Sequence, residues 1–228
     1  MTAQHAALEP TSTRDAILDA AERRFADEGF AGTSVRDIAR AVGLRNQASL
    51  YHHFESKEAL YEAVLARGVD ALLPIWQTAG LVIDESADDE RAAAIGAYLD
   101  RVFDYLVAHP QLARLIERAG LDQDRFVAGA VPRLLRPLYV QGVGVLQSAG
   151  GAWQPSQLPH LAAGLFHLIF GYFANASLLQ AVLDEDPHSA RMLEQQRAFL
   201  KTAVVRLLDG SPAARSEPRI VRKQGATQ

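Results

Sequence analysis

The sequence predicts an all-α chain of about nine helices. Apolar residues recur at three- and four-residue spacing along most of its length, and no run alternates apolar and polar residues as a half-buried strand would. The periodic stretches are separated by capping residues, glycines and prolines. With 228 residues, 49% of them hydrophobic, the chain has apolar side chains enough for a substantial core.

Residues 1–12 are small and polar and predict a disordered arm. The first helix is expected over about 13–29, with Ile17, Ala21 and Phe25 at four-residue spacing. The second runs over about 34–42: Thr33 or Ser34 offers a capping hydroxyl, and Asp37 sits where a carboxylate suits the helix dipole. Val35, Ile38, Ala39 and Val42 share one face, and Gly43 can end the helix in a left-handed conformation. A third, short helix follows over about 46–53, sending Leu50 and Phe54 inward, and a fourth spans about 57–79. The acidic run 84–90 leads into a fifth, about 88–108, carrying Ile95, Tyr98, Leu99, Val102, Phe103 and Leu106. His109-Pro110 separates it from a sixth over about 111–119. A seventh, about 122–148, is expected to bend at Pro132 and Pro137, which lack the backbone donor. The last two are expected over about 156–183 and 187–209, divided by Asp184-Glu185-Asp186-Pro187. The remaining residues, rich in Pro, Ser and Arg, predict a disordered basic tail. The organisation expected is an arm (1–12), a small helical module (13–57), a larger helical domain (58–209) and a tail (210–228).

The second and third helices with their glycine turn have the layout of a helix-turn-helix, in which a short second helix enters the DNA major groove. The outward residues around the third helix are Arg45, Asn46, Gln47, Ser49, Tyr51 and His52, mostly donors or donor-acceptors suited to base edges and phosphates. The net charge of −4 does not oppose this. Arg36, Arg40, Arg45 and Lys57 outnumber Asp37 and Glu55 in the motif, with Arg14, Arg23 and Arg24 before it, and phosphate contact needs only such a local patch.

The order Leu50-Tyr51-His52-His53-Phe54, followed by Ser56-Lys57-Glu58-Ala59-Leu60, resembles the TetR family of transcriptional regulators. The resemblance covers about Thr13 to Leu65 and includes Glu28-Gly29-Phe30 and Thr33. It departs at one point: seven residues lie between Gly43 and Tyr51 where the family commonly has six. The extra one, within Arg45 to Ala48, either lengthens the turn or advances the start of the reading helix. The resemblance implies a homodimer binding a palindromic double-stranded operator, in most members as a repressor released by a small-molecule effector. It implies phosphate anchoring by Tyr51, Lys57 and Thr33, with Ser34 beside them. Arg45, Asn46, Gln47, Ser49 and His52 are the base-reading candidates, arginine suiting guanine and Asn or Gln suiting adenine.

From Pro137 through Leu183 there is no Asp, Glu, Lys or Arg. Leu158 to Leu183 is long enough to span a membrane, but Pro159, His160, His167, Asn175 and Gln180 interrupt it and no basic flank orients it. A helix buried on two faces is the reading adopted. One face carries Phe166, Phe170 and Phe173; the other carries Gly164, Leu168, Gly171 and Asn175, where glycines would admit a second helix closely. The resemblance supplies that second helix from another subunit, while the central helix of a monomeric bundle is the alternative. The effector pocket the resemblance implies draws on Trp76, Phe103, Arg118 and Phe126, with Phe166, His167 and Phe170 from the uncharged helix. The alternative for each aromatic is ordinary core.

No His-Glu-x-x-His pattern, phosphate-binding glycine loop or Gly-x-Ser-x-Gly elbow is present, so neither enzyme nor cofactor or metal chemistry is expected. The absence of cysteine excludes disulfides and fits a reducing cytoplasm. An all-α enzyme, or an interaction protein that has lost its operator, are the remaining alternatives.

Overall fold

The computed structural model describes residues 12–77, 88–150 and 153–209, and the regular structure among them is entirely helical. The helices are α1 (Thr13–Gly32), α2 (Val35–Ala41), α3 (Gln47–Tyr51), α4 (Lys57–Gln77), α5 (Asp88–Ala108), α6 (Pro110–Leu121), α7 (Arg125–Ser148), α8 (Leu158–Ala174), α9 (Ala176–Leu183) and α10 (Ala190–Asp209). The arm, except Ser12, the tail, and residues 84–87 of the acidic run lie outside the described residues.

Each boundary has a local cause. The Ser12 hydroxyl oxygen accepts the Asp15 N–H at 3.1 Å and caps α1. Near its end α1 breaks at Gly29, whose φ of 74° and ψ of 176° belong to a region that is essentially glycine-only. α2 ends in a Schellman arrangement: Leu44 N–H reaches Ala39 O at 2.9 Å, Gly43 N–H reaches Arg40 O at 3.1 Å, and Gly43 takes φ 73°. Ser56 caps α4 by accepting the Ala59 N–H, Pro110 starts α6 with φ already set, and Asp124 caps α7 through the Phe126 N–H.

The expected single helix over 156–183 is two helices, α8 and α9, bent by 70°. Asn175 makes the break. It leaves helical geometry (φ −102°, ψ 21°), its backbone N–H and its side-chain amide both donate to Gly171 O, and its own carbonyl restarts the chain by accepting the Leu179 N–H. No single described helix is long and apolar enough to cross a membrane; α8 and α9 would qualify only as this bent pair.

One core runs without interruption from α1 to α8. Ile17, Phe25, Ile38, Leu50 and Leu60 hold the N-terminal helices together, and Leu65, Leu106, Leu112 and Phe170 continue the same cluster into the body. The most extensive packing is α1 on α6 and α4 on α7. At the junction, Tyr61 of α4 lies edge-on to Phe25 (4.9 Å) and Phe30 (5.2 Å) of α1 and to Phe126 of α7 (6.2 Å). Polar ties reinforce these contacts: Arg67 of α4 reaches Asp19 and Glu22 of α1, and Arg133 of α7 reaches Glu62 of α4. A second cluster, including Ile95, Leu99, Leu146, Leu161, Leu165 and Val204, joins α5, α7, α8 and α10.

Candidate DNA-reading surface and apolar cavity

The third helix is held from beneath and open above. Leu50 is fully buried and Phe54 nearly so, while Arg45, Asn46, Gln47, Tyr51 and His52 are exposed on the opposite side. α3 is shorter than the 46–53 expected at both ends: Asn46 is extended (φ −156°, ψ 167°) and serves as its cap rather than its first residue, and His52 is the cap that closes it. The Asn46 side-chain oxygen accepts both the Ser49 N–H (2.9 Å) and the Ser49 hydroxyl (3.1 Å). The Gln47 amide donates to the Tyr51 hydroxyl oxygen at 3.0 Å, one turn on, so the two outward side chains hold each other. The five residues from Val42 to Asn46 separate α2 from α3, and Arg45 projects from that turn.

Cations surround this face. Arg40 pairs with Asp37 at 3.1 Å, whereas Arg36 and Arg45 are exposed and form no ion pair among the described residues. Arg14 lies over the Phe54 ring and Lys57 over the Phe30 ring, 4.8 and 4.5 Å from the centroids; both contacts fix a basic side chain near the reading helix.

Two expectations about the capping region are corrected. Ser34 stands at the start of α2, but its side chain makes no capping bond; its backbone carbonyl takes the Asp37 and Ile38 N–H groups instead. Thr33 is 3% exposed and its hydroxyl donates to Gly29 O at 2.7 Å, so that hydroxyl closes the break in α1 and faces away from solvent.

The residues expected around a pocket fall into two groups. Phe166, His167 and Phe170 line a cavity of about 270 Å³ that lies between α5, α7, α8 and α10 and opens to solvent. Phe166 and Phe170 are stacked at 4.4 Å and form one of its walls. The other group lies elsewhere. Phe103 is buried against Phe173, with the Arg197 guanidinium over its ring. Phe126 belongs to the α1–α4–α7 junction. Arg118 donates to Asp27 O at 2.9 Å and covers Gly29, where a Cβ would come within 2.7 Å of its Nε. The Trp76 side chain lies outside the described residues. A period of three and four places an aromatic inward without saying against which neighbour, so the spacing of Phe103 and Phe126 does not distinguish a cavity wall from packed core. Tyr98, an aromatic of the larger domain that the sequence also offers to a ligand, lines the cavity too, as do Leu138, Ala162 and Leu165, which only the apolar period marks.

The glycine face of α8 is open. A Cβ at Gly164 or Gly171 would meet nothing within 4 Å, while Leu168 is half-buried against both clusters and Asn175 is exposed at the break. Phe199 and Leu207 of α10 and Leu178 and Val182 of α9 are also large apolar side chains in solvent.

A capped, solvent-facing short helix set by a glycine turn on a three-helix support, with basic residues around it, is the arrangement of a helix-turn-helix DNA-binding protein. Residues 17–64 match the family model of bacterial regulatory proteins, tetR family. Two curated relatives are HTH-type transcriptional repressors named KstR2. That of Mycolicibacterium smegmatis is 46% identical over 69 residues, 30% of this chain and 33% of its own length. That of Rhodococcus jostii is 34% identical over 119 residues, 46% of this chain and 56% of its own length. The chain therefore matches between a third and just over half of these relatives. Among solved structures, a transcriptional regulator from Streptomyces coelicolor superposes with a TM-score of 0.55 at 27% identity, covering 86% of this chain and 98% of that one.

Proposed function

We propose that the protein is a homodimeric transcriptional repressor that binds a palindromic operator through two copies of the 13–57 module and leaves it when a small molecule occupies a site in the 58–209 domain. The observation that carries this reading is α3 itself: a capped helix anchored by Leu50 and Phe54 that turns Arg45, Gln47, Tyr51 and His52 to solvent. Tyr51 and Lys57 are the phosphate anchors. Arg45, Gln47 and His52 are the base readers, and Asn46 and Ser49, bonded to each other, set the helix start. Thr33 and Ser34 act through the backbone they organise.

Dimerisation is assigned to α8 and α10, where Gly164 and Gly171 leave room for a second helix and Phe199 and Leu207 are apolar and exposed. Two-fold symmetry then sets the two reading helices roughly 34–36 Å apart, one turn of DNA. The effector site is the cavity beside Phe166 and Phe170. A ligand that prefers a conformation with another separation releases DNA through that difference in affinity alone. α4 is the mechanical link, since it starts beside α3 and packs along α7.

The test is a gel-shift titration, in rising salt, with DNA from beside the protein's own gene. Saturable, sequence-dependent binding is expected, with Tyr51→Phe weakening all sites alike and Gln47→Ala changing the preferred sequence. Binding that shows no sequence dependence would leave an interaction protein that has lost its operator.

A further inference from the structure

The composition of the cavity restricts what can fill it. Among the described residues its lining contains no Asp, Glu, Lys or Arg. An apolar cavity of about 150 Å³ is filled by benzene, so the 270 Å³ here would hold roughly eleven non-hydrogen atoms at the same filling. The space exists because Gly142, Ala162 and Ala163 are small where larger apolar residues would close it.

Three polar side chains reach the lining, and two are already engaged. The Tyr139 hydroxyl donates to Pro159 O, and His167 Nδ1 lies 3.2 Å from Glu117 Oε1. The third, the Tyr98 hydroxyl, has no hydrogen-bond partner among the described residues. Burial pushes the Tyr98 phenol well above its ordinary range, against a smaller opposing effect of Arg101, so it stays protonated and is a donor. Arg101 itself is exposed and is not part of the lining. A carboxylate placed inside would meet no cation among the described residues of the walls and would find Glu117 beside His167.

We propose that the cavity binds an uncharged molecule of about ten or eleven non-hydrogen atoms, hydrocarbon except for one hydroxyl or carbonyl oxygen that accepts a hydrogen bond from Tyr98. This rests on the reading of the cavity as the effector site and names the class of effector.

The experiment uses the full chain with three probes close to that size: 1-decanol, 2-decalone and decanoate. Binding is followed by calorimetry and thermal shift at neutral pH, with a gel-shift run in parallel. At least one neutral probe should bind and raise the melting temperature, and decanoate should bind at least about tenfold more weakly, because its charge must be desolvated without a partner. Tyr98→Phe should weaken the neutral probe by about threefold to tenfold, the net worth of one neutral hydrogen bond. Ala162→Phe should abolish binding. Decanoate binding as tightly as the neutral probes would overturn the proposal, as would failure of both neutral probes or indifference to Tyr98→Phe. The probe comparison uses the unaltered protein, so it stands even if Ala162→Phe does not fold. If no probe binds while operator DNA still shifts, the ligand class fails and the DNA-binding reading survives. If a neutral probe binds through Tyr98 but no DNA shifts, the ligand class is supported and the regulator reading fails.

Discussion

Asn46 separates a structural from a recognition role within a single side chain. Its oxygen accepts two bonds from Ser49, while its amide nitrogen is left to solvent or DNA. α3 has five residues, far below the length at which a helix is stable alone, so its geometry depends on this cap and on Leu50 beneath it. Removing the cap with Asn46→Ala should cost about 1 kcal/mol, within the range of 0.5–2 measured for such caps. In a chain of this size that lowers the melting temperature by roughly 2–4 °C. Where the uncapped α3 frays, re-forming it on DNA costs at most that energy, so affinity should fall by no more than about fivefold per reading helix, at every operator alike. Asn46→Ser keeps a capping oxygen and deletes the amide. It should restore most of the melting temperature and affinity and leave the preferred sequence unchanged. Thermal melts combined with gel-shifts on operators randomised one position at a time distinguish the two cases. A Ser variant of full stability whose preference changes at one base pair would refute the capping account, because only a base contact by the amide produces that pattern.

Thr33→Val should lower stability by about 1 kcal/mol, since it removes a buried donor from Gly29 O, which still accepts the Thr33 N–H. Operator affinity at a temperature well below melting should not change; a uniform loss of affinity across all operators would restore Thr33 as a phosphate anchor. Gly68→Ala sets helix propensity against packing. Propensity favours alanine by about 1 kcal/mol, but the new Cβ would lie 2.3 Å from Leu112 Cδ1, and Leu112 is 1% exposed. Overpacking of about 1–3 kcal/mol should win, forcing α4 from α6, and a variant that melts higher than the parent would contradict the packing seen. Asp100 supplies a pH test. Burial pushes its carboxyl up, but hydrogen bonds and charge from Lys201 and Arg197 outweigh this, so the net shift is downward from 3.8. A depressed carboxyl stabilises above its ordinary value and loses that contribution as pH falls through the folded one. The stability gap between the parent and Asp100→Asn, measured by urea unfolding, should therefore narrow on acidification below that value, and a widening gap would reject the assignment.

What could be read in the sequence was what is decided locally. Gly43 takes the left-handed backbone a helix-ending glycine allows, and Leu50 and Phe54 are the apolar residues of an otherwise polar stretch; each is settled within a few residues. The break at Asn175 was missed because the apolar period continues through it from Phe170 to Leu183. A signal existed in the amide residue itself, set among Ala174, Ala176 and Ser177 and able to bond back to a carbonyl one turn earlier. Thr33 illustrates the opposite error: a good capping residue at a good capping position whose hydroxyl is drawn to Gly29, because the break there leaves a carbonyl that a neighbouring donor can reach. Phe166, His167 and Phe170 were legible as candidates for the cavity, but which other aromatics join them was not. Phe103, Phe126 and Phe166 are alike in type and spacing, and they divide among a core, a helix junction and a cavity wall only because α5, α7, α8 and α10 stand apart around small residues at Gly142, Ala162 and Ala163. A cavity is set by what is missing from several helices at once. It follows that the cavity-filling substitution tests the effector site more directly than removal of any one aromatic, since Phe166→Ala would enlarge the space where Ala162→Phe closes it.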